Sequence, residues 1–457
     1  MGDKMKLKDK IVLVVGTGIS GIASTELLME NEAYAILYDG NKKLTTLDVE
    51  KKLSGVKVHN IVIGEVPKET WDKVDLMVIS PGVPIDSPIV MEAQKRKIEV
   101  WGEIELAYRC GKGRIAAITG TNGKTTTTAI TGEIFANYFE SSFVVGNIGT
   151  PYTSIVKDTV DSSVIAAEIS SFQLESVHLF RPQVSAVLNI TPDHLNRHYT
   201  MKNYAATKMN ITKNQTKDQI CVLNYEDEIL KNYASKIEPQ VLFFSSERKL
   251  ESGIYLDGED IVYDFGGVKE KIIKTTDTSL VGKHNIENIM AAAAISINMG
   301  VPIEIIRKTI KEFKAVEHRI EYTATKKGVL YYNDSKGTNP DASIKAIEAM
   351  RWPTILIAGG YDKNASFDKF IESFGSTVKK LVLLGTTKEQ IKETALEHGF
   401  TDIITVETLE DAVKVAAENA IQGDAVLLSP ACASWDMFDN YEIRGKLFKQ
   451  YVNELED

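Results

Sequence analysis

The sequence predicts three consecutive α/β domains, and three observations lead to that expectation. Short apolar runs alternate with amphipathic stretches along the whole chain, the pattern of strands in a parallel sheet covered by helices. Two glycine-rich turns, GTGISG at 16–21 and GTNGKT at 120–125, each follow an apolar run and open a helical pattern. The 457 residues suit about three domains of ~150 residues each. The expected domains span residues 1–102, 103–315 and 316–457.

In the first domain IVLVV (11–15) reads as a strand, 19–30 as a helix, YAILYD (34–39) as a second strand and VDLMVIS (74–80) as another, closed by Pro81-Gly82. These runs are continuously apolar rather than alternating, so both faces of the sheet are expected to be covered. In the second domain RIAAIT (114–119), VIAAEI (164–169) and VSAVLNI (184–190) are buried strands. YLDGEDIVY (255–263) reads as a hairpin turned at Asp257-Gly258, a dipeptide suited to tight turns. A buried helix is expected over 285–299, which carries MAAAAI. The third domain alternates YYND (331–334), TILIAGG (354–360), KLVLLG (380–385), DIITV (402–406) and AVLLSP (425–430) with helical segments. Polar and glycine residues gather where these strands end, the edge at which open parallel sheets bind ligands.

Composition narrows the function classes. The hydrophobic fraction of 43% and charged fraction of 25% are those of an ordinary soluble protein. A net charge of −10 argues against a broad nucleic-acid footprint. Cys110, Cys221 and Cys432 are far apart and form no metal or redox spacing; reduced thiols in a cytoplasmic protein are expected. The amino-terminal apolar run stops at Val15 and meets glycine, which suits a strand better than a secretory signal. Lys6 stands where a myristoylation pattern needs Ser or Thr. No run reaches the ~18 apolar residues of a membrane span.

The turn GTGISG fits GxGxxG, and Asp39 closes the next strand where a ribose-binding acid is expected. That makes the first domain Rossmann-like. A dinucleotide or any nucleotide diphosphate can use the same backbone donors, and the glycines can also be there only for a tight turn. The second turn is not a full Walker A pattern, because Ile118 stands where GxxxxGK[ST] requires its first glycine. Its chemistry survives. Gly120, Thr121, Asn122 and Gly123 can form an anion nest at a helix N-terminus. Lys124 can reach terminal phosphates, and the Thr125 hydroxyl can ligate Mg²⁺. The central domain is therefore a P-loop-type ATPase. Glu168 ends a neighbouring strand, where a carboxylate is a natural Mg²⁺ ligand. His194 in TPDHLNRH follows the next strand; it is either a hydrogen-bonded structural histidine or a second-metal ligand. The pattern around Lys208 in YAATKMN reads as a solvated helix lysine.

TGTNGKTTTT (119–128), GNIGTP (146–151), EISSFQLE (168–175), NITPDHLNRH (189–198), YAATK (204–208), GKHNIENIMAA (282–292), EHRIE (317–321), NDSKGTNPDA (333–342) and SPACASWDMFDNYEIRG (429–445) occur in that order. Together they resemble the Mur ligases of peptidoglycan synthesis, over essentially the whole chain. NDSKGTN and SPACAS resemble most the branch that adds D-glutamate. The resemblance implies a cytoplasmic, monomeric enzyme whose substrates are ATP, UDP-N-acetylmuramoyl-L-alanine and D-glutamate. Chemically, ATP phosphorylates the alanyl carboxylate and the D-glutamate amine attacks the acyl phosphate. The carboxy-terminal domain is implied to be Rossmann-like and to hold the amino acid.

By the same resemblance Ile19, Ser20, Asp39, Gly40 and Gly82 lie at the uridine diphosphate, and Asn147 and His194 at the sugar–peptide part. Gly120–Thr126, including Thr126 itself, with Asn285, Asn288, Arg319 and Asp334, contact ATP. Thr125, Glu168, His194 and Lys208 hold two Mg²⁺ ions, Lys208 as a CO₂-derived carbamate. Lys124, Glu168, His194 and Lys208 form the catalytic set. Lys336, Thr338, Lys363, Ser434 and Tyr441 surround D-glutamate; without the resemblance Lys363 reads as an exposed loop lysine. Three departures stand out. GGYDK (359–363) replaces an expected GGDGK, Gly337 an alanine and Tyr441 a phenylalanine. The alternatives are a sister ligase adding another amino acid, a folylpolyglutamate-type ligase, an NAD-dependent dehydrogenase explaining only the first hundred or so residues, and a P-loop switch or motor protein explaining only the second domain.

Overall fold

The computed structural model describes residues 7–53, 55, 56, 58–147, 149–280, 282–314, 316–361 and 365–456. The chain is built on three sheets. The first contains β1 (Ile11–Val15), β2 (Tyr34–Asp39), β3 (Asn60–Ile63), β4 (Leu76–Ile79) and β5 (Glu99–Gly102), all parallel in the order β3-β2-β1-β4-β5. The strand order reverses beside β1, the place where doubly wound sheets open a ligand crevice. The turn Gly16–Gly21 leaves β1 there, leading into α1 (Ile19–Glu30), and Ser80–Gly82 leaves β4 next to it.

The second sheet contains β6 (Arg114–Thr119), β7 (Ser142–Gly146), β8 (Val164–Glu168), β9 (Val184–Val187), β10 (Ile220–Asn224), β11 (Gln240–Ser245), β12 (Gly253–Asp257), β13 (Asp260–Phe265) and β14 (Val268–Lys274). Its order is β14-β13-β12-β11-β10-β9-β6-β8-β7. Pairing is parallel from β7 through β12 and antiparallel in the terminal β12–β13–β14 ribbon. The expected hairpin at Asp257-Gly258 is the β12–β13 turn. Here β6 lies between β8 and β9, so the carboxyl ends that carry the loop 120–123, Glu168 and residues 188–194 are adjacent. Four helices bear on the candidate site: α2 (Lys124–Ala136), α3 (Leu195–His198), α4 (Met201–Met209) and α5 (Lys283–Asn298).

The third sheet contains β15 (Glu321–Lys326), β16 (Val329–Asn333), β17 (Thr354–Ala358), β18 (Val378–Leu383), β19 (Ile403–Thr405) and β20 (Ala425–Leu428), in the order β15-β16-β20-β17-β18-β19. Only the β15–β16 pair is antiparallel. By contacts the chain forms two compact units. One holds the described residues up to Thr275 with Glu287–Ile310, and so the first two sheets; the other holds Thr276–Ile286 and the residues from Lys311 onward.

Every residue of β4, β8, β9, β17 and β20 is buried, as their unbroken apolar runs require. The expected strands at 74–80 and 184–190 are shorter than their apolar runs. After Val187 the chain still bonds the end of β6, Leu188 N donating to Thr119 O at 3.0 Å, and Asn189 O then accepts from Thr121 N of the phosphate-type loop. Strands β3, β5, β7, β10, β11, β14 (VKEKIIK) and β15 (EYTATK) are not among those the pattern names. All but β10 and β11 are edge strands, and edges tolerate the charged and polar side chains that hide a strand's periodicity.

Candidate active site

In the first glycine turn, a Cβ on Gly21 would overlap the carbonyl oxygen of Gly16, so only glycine lets helix α1 start this close to β1. Asp39 turns toward the turn itself. Its carboxylate accepts from Thr17 Oγ1 at 2.6 Å, Thr17 N at 3.2 Å and Asn41 N at 2.9 Å. Burial pushes this carboxyl up, but the bonds from Thr17 and Asn41 outweigh it and the pKa is lowered. Ile19 and Gly40 are exposed and Ser20 half-buried, so that mouth is open. Gly82 is exposed beside it, and Ser80 has a buried hydroxyl without a partner.

The second turn is braced on all sides. Gly123, the residue before α2, has φ +86°, a backbone state that favours glycine, and a Cβ there would overlap Asn288 Oδ1. Thr121 N donates to Asn189 O at 2.9 Å, and Thr191 N donates to Thr121 Oγ1 at 3.0 Å. Asn189 and Asn122 bond reciprocally: Asn122 N donates to Asn189 Oδ1 at 2.8 Å, and Asn189 Nδ2 donates to Asn122 O at 3.1 Å. Lys124 Nζ folds onto the carbonyls of Gly120 and Thr121, each at 2.9 Å. Thr125 is half-buried, while the buried hydroxyls of Thr126 and Thr128 have no partner. Thr127 Oγ1 reaches Asn288 Oδ1 at 3.2 Å.

Lys208 overturns the surface-lysine expectation. It is 1% exposed. Its Nζ donates to Gly120 O at 2.8 Å and lies 4.7 Å from the centre of the Tyr204 ring, one helical turn earlier. Helical periodicity cannot reveal that a loop far away in the sequence covers one face of α4. Burial, reinforced by the positive charge of Lys124, holds this amine well below the usual lysine range against the opposing carboxylates of Asp193 and Glu168. Lys124, Lys208 and Glu168 therefore share one site. Asn147 joins it, its amide donating to Glu168 Oε1 at 3.2 Å. His194 lies beside this group. Its backbone is left-handed (φ +52°), its ring packs 4.9 Å from Phe172, and Asp193 Oδ2 lies 3.5 Å from Nε2.

Among the described residues no three His, Cys, Asp or Glu side chains gather into a metal-holding group. Mg²⁺ is usually held by one or two carboxylates together with phosphate oxygens and water rather than by an all-protein cage. The buried Glu168 carboxylate facing a glycine-rich loop, with the Thr125 hydroxyl at the start of α2, fits that donor set.

In the second unit, Asp334 follows β16 and is buried. Ser429 Oγ donates to its Oδ2 at 2.7 Å and Ile320 N to its Oδ1 at 3.2 Å. Burial pushes its carboxyl up to about 6, with Ser429 and Arg319 opposing. A Cβ on Gly337 would press on Asp334 and Ser429, so the glycine noted in the sequence suits a crowded position. Lys336 Nζ lies 5.4 Å from the Tyr441 ring centre; Ser434 is buried, and Thr338 N donates to Lys336 O at 2.8 Å. Asn285 and Arg319 belong to this unit, whereas Asn288 belongs to the first. Lys363 lies outside the described residues.

Sequence reasoning missed several participants. Asn189, Thr191 and Tyr204 brace the loop, and the signal for the first two was their place at the carboxyl end of β9. Arg444 is the largest omission. It is 2% exposed, and its guanidinium donates to Ser335 Oγ at 3.0 Å, Ser335 O at 2.7 Å and Cys432 O at 3.3 Å, tying NDSK to SPACAS. Burial lowers its pKa to about 10.

Three family models match in sequence order: the MurD-like N-terminal domain of Mur ligases over residues 10–102, the Mur ligase middle domain over 118–296, and the Mur ligase glutamate ligase domain over 318–432. A protein of Lachnospira eligens named UDP-N-acetylmuramoylalanine–D-glutamate ligase is 57% identical over 99% of this chain and 100% of its own length. A protein of the same name from Lachnoclostridium phytofermentans is 51% identical with the same coverage. Among solved structures, the UDP-N-acetylmuramate–alanine ligase of Thermotoga maritima superposes with a TM-score of 0.60 at 18% identity, over 97% of this chain and 99% of that one. The ADP complex of a MurF ligase from the same organism gives 0.60 at 18% identity, over 99% and 97%; at such identity these two speak for the fold alone. With its three sheets, its braced glycine loop and this full-length likeness, the chain belongs to the Mur ligase family.

Proposed function

We propose that this chain joins D-glutamate to UDP-N-acetylmuramoyl-L-alanine by an ATP-dependent amide ligation, in the cytoplasm, as a step of peptidoglycan precursor synthesis. The observation that carries the reading is the 57% identity over 99% of the chain to a ligase of that name. No helix among the described residues is long and apolar enough to cross a membrane.

Each ligand has its own set of residues. The turn after β1, with Ile19, Ser20, Asp39, Gly40 and Gly82, seats the uridine diphosphate. The nest Gly120–Thr126 and Asn288 in the first unit, and Asn285, Arg319 and Asp334 in the second, take ATP. Lys124 leaves its carbonyl partners for the terminal phosphate and offsets charge as the phosphoryl group moves to the alanyl carboxylate, releasing ADP. Lys336, Thr338, Lys363, Ser434 and Tyr441 hold D-glutamate, the lysines pairing with its carboxylates. Its amine attacks the acyl phosphate, and collapse of the tetrahedral adduct expels phosphate and leaves the amide. Thr125, Glu168, His194 and Lys208 are the proposed holders of two Mg²⁺ ions, which would screen the repulsion between phosphate and carboxylate.

Lys208 suits carbamylation for a physical reason. Only a neutral amine attacks CO₂, and burial beside Lys124 favours the neutral form. The resulting carbamate is an anion, which removes a like-charge conflict and adds a ligand. Asn147 and His194 are assigned to the sugar–peptide portion.

The test incubates the chain with ATP, UDP-N-acetylmuramoyl-L-alanine and a panel of amino acids, following phosphate release. Turnover with D-glutamate supports the proposal. Turnover only with L-alanine or a diamino acid moves the chain to a sister ligase, and NAD reduction without phosphate release overturns the class.

A further inference from the structure

The turn between His194 and Tyr199 does more than present His194. It is left-handed at both ends, with φ +52° at His194 and +66° at Tyr199, a backbone state that costs energy in residues with a side chain. Two of its side chains reach back to the loop that follows β4. Arg197 Nη2 donates to Val83 O at 2.9 Å and Nη1 reaches Gly82 O at 3.5 Å. Tyr199 Oη donates to Asp86 Oδ2 at 2.6 Å. The Arg197 fork also grips Glu175, with Nη2 at 2.6 Å from Oε2 and Nε at 3.1 Å from Oε1. Both side chains are nearly buried, 13% and 6% exposed, so this is a bidentate, desolvated pair rather than a surface contact.

The guanidinium lies 4.8 Å over the Phe172 ring, which also packs against the His194 imidazole at 4.9 Å and that of His198 at 5.7 Å. A continuous line of contacts therefore runs from the carbonyls of Gly82 and Val83 through Arg197 and Phe172 to His194. Each link is stiff: a planar fork, an aromatic ring and a strained turn.

We propose that Arg197 is a positioning residue that couples the seating of the sugar nucleotide on the 80–86 loop to the placement of His194, with Tyr199–Asp86 as a second, weaker tie. This rests on the reading that Gly82 and His194 face that substrate. When the loop is drawn onto the ligand, Arg197 transmits the shift to the histidine side of the site, while the nest that holds ATP is braced separately through Asn189 and Thr191.

Steady-state kinetics of the full chain test it, using Arg197→Ala, Arg197→Lys and Tyr199→Phe with UDP-N-acetylmuramoyl-L-alanine varied at saturating ATP and D-glutamate. Arg197→Ala is expected to raise the KM for the sugar nucleotide about tenfold and to lower kcat, with the KM for ATP within about twofold. Lysine cannot reproduce the fork, so Arg197→Lys falls between. Tyr199→Phe removes only the hydroxyl of an exposed side chain, and is expected to raise the same KM by about two- to threefold. A lowered melting temperature in Arg197→Ala with both KM values unchanged makes the residue merely structural and overturns the proposal. So does an unaltered KM in Tyr199→Phe if Arg197→Ala does not fold. His194→Ala separates the two readings. Full activity there removes the site assignment itself; an inactive His194→Ala beside a normal Arg197→Ala removes only the coupling.

Discussion

The two glycine turns begin alike and are finished differently. Each follows a buried parallel strand at the reversal of strand order and opens a helix. Around the first, Asp39 satisfies Thr17 and Asn41, and the rest of the mouth is open. Around the second, Asn189, Thr191, Asn288 and Lys208 hold the loop from outside, and two lysines lie against the same carbonyl of Gly120. On the proposed function, the first turn only has to hold a diphosphate and can borrow most of its rigidity from the ligand. The second, where charge would move between groups, needs its donors fixed in advance, because reorganising them during the reaction raises the barrier. Burial and, after it, the nearby charge of Lys124 are the cost, visible in the depressed pKa of Lys208.

That contrast can be broken at several points. Lys124→Ala is expected to have the largest effect, a loss of kcat on the order of 10²–10³-fold in the phosphate-release assay; Ile19→Ala in the open turn should alter only the KM for the sugar nucleotide. Comparable kcat losses in both would erase the distinction. Lys208→Ala should also lose activity, with short-chain carboxylates restoring part of it. Full activity without rescue would remove the carbamate from the proposal.

Stability changes come next. Gly21→Ala places a methyl on the Gly16 carbonyl and should cost about 1–3 kcal/mol in urea unfolding. Gly18→Ala, in the same turn with open space around it, should stay within about 0.5 kcal/mol. Equal effects would mean that the close approach of α1 to β1 does not constrain the first turn.

The smallest effect concerns pH. Burial, with His194 and Arg197 adding to it, lowers the pKa of His198 from 6.5 to about 4. Between those values the unfolded chain binds a proton that the folded chain refuses. His198 therefore subtracts stability as pH falls from 6.5 toward 4 and is neutral to stability above that window. His198→Gln should flatten the dependence of melting temperature on pH there; an unchanged slope would show that the imidazole charges freely in the fold.

Much of the fold was legible because short, mainly apolar runs such as VIAAE and TILIA, followed by polar or glycine residues, suit strands covered on both faces. That Lys124 and Glu168 lie together was legible for a similar reason: residues at the carboxyl ends of neighbouring buried parallel strands must emerge at one edge. Lys208 was not legible from its own helix. MKNYAATKM has no sharp apolar face, and the loop that buries the lysine comes from β6. Arg444 stayed hidden because a buried arginine satisfied by backbone carbonyls leaves no complementary carboxylate in the sequence to pair it with.

By itself, then, the sequence determined where strands, helices and glycine turns form, since these depend on local periodicity and backbone freedom, and the ordered motifs pointed to the ligase family. Only the tertiary structure decided which charges are buried together. Strand order brings the ends of β8, β6 and β9 side by side, and the energy of a lysine depends on the dielectric and charges around it rather than on its neighbours in the chain.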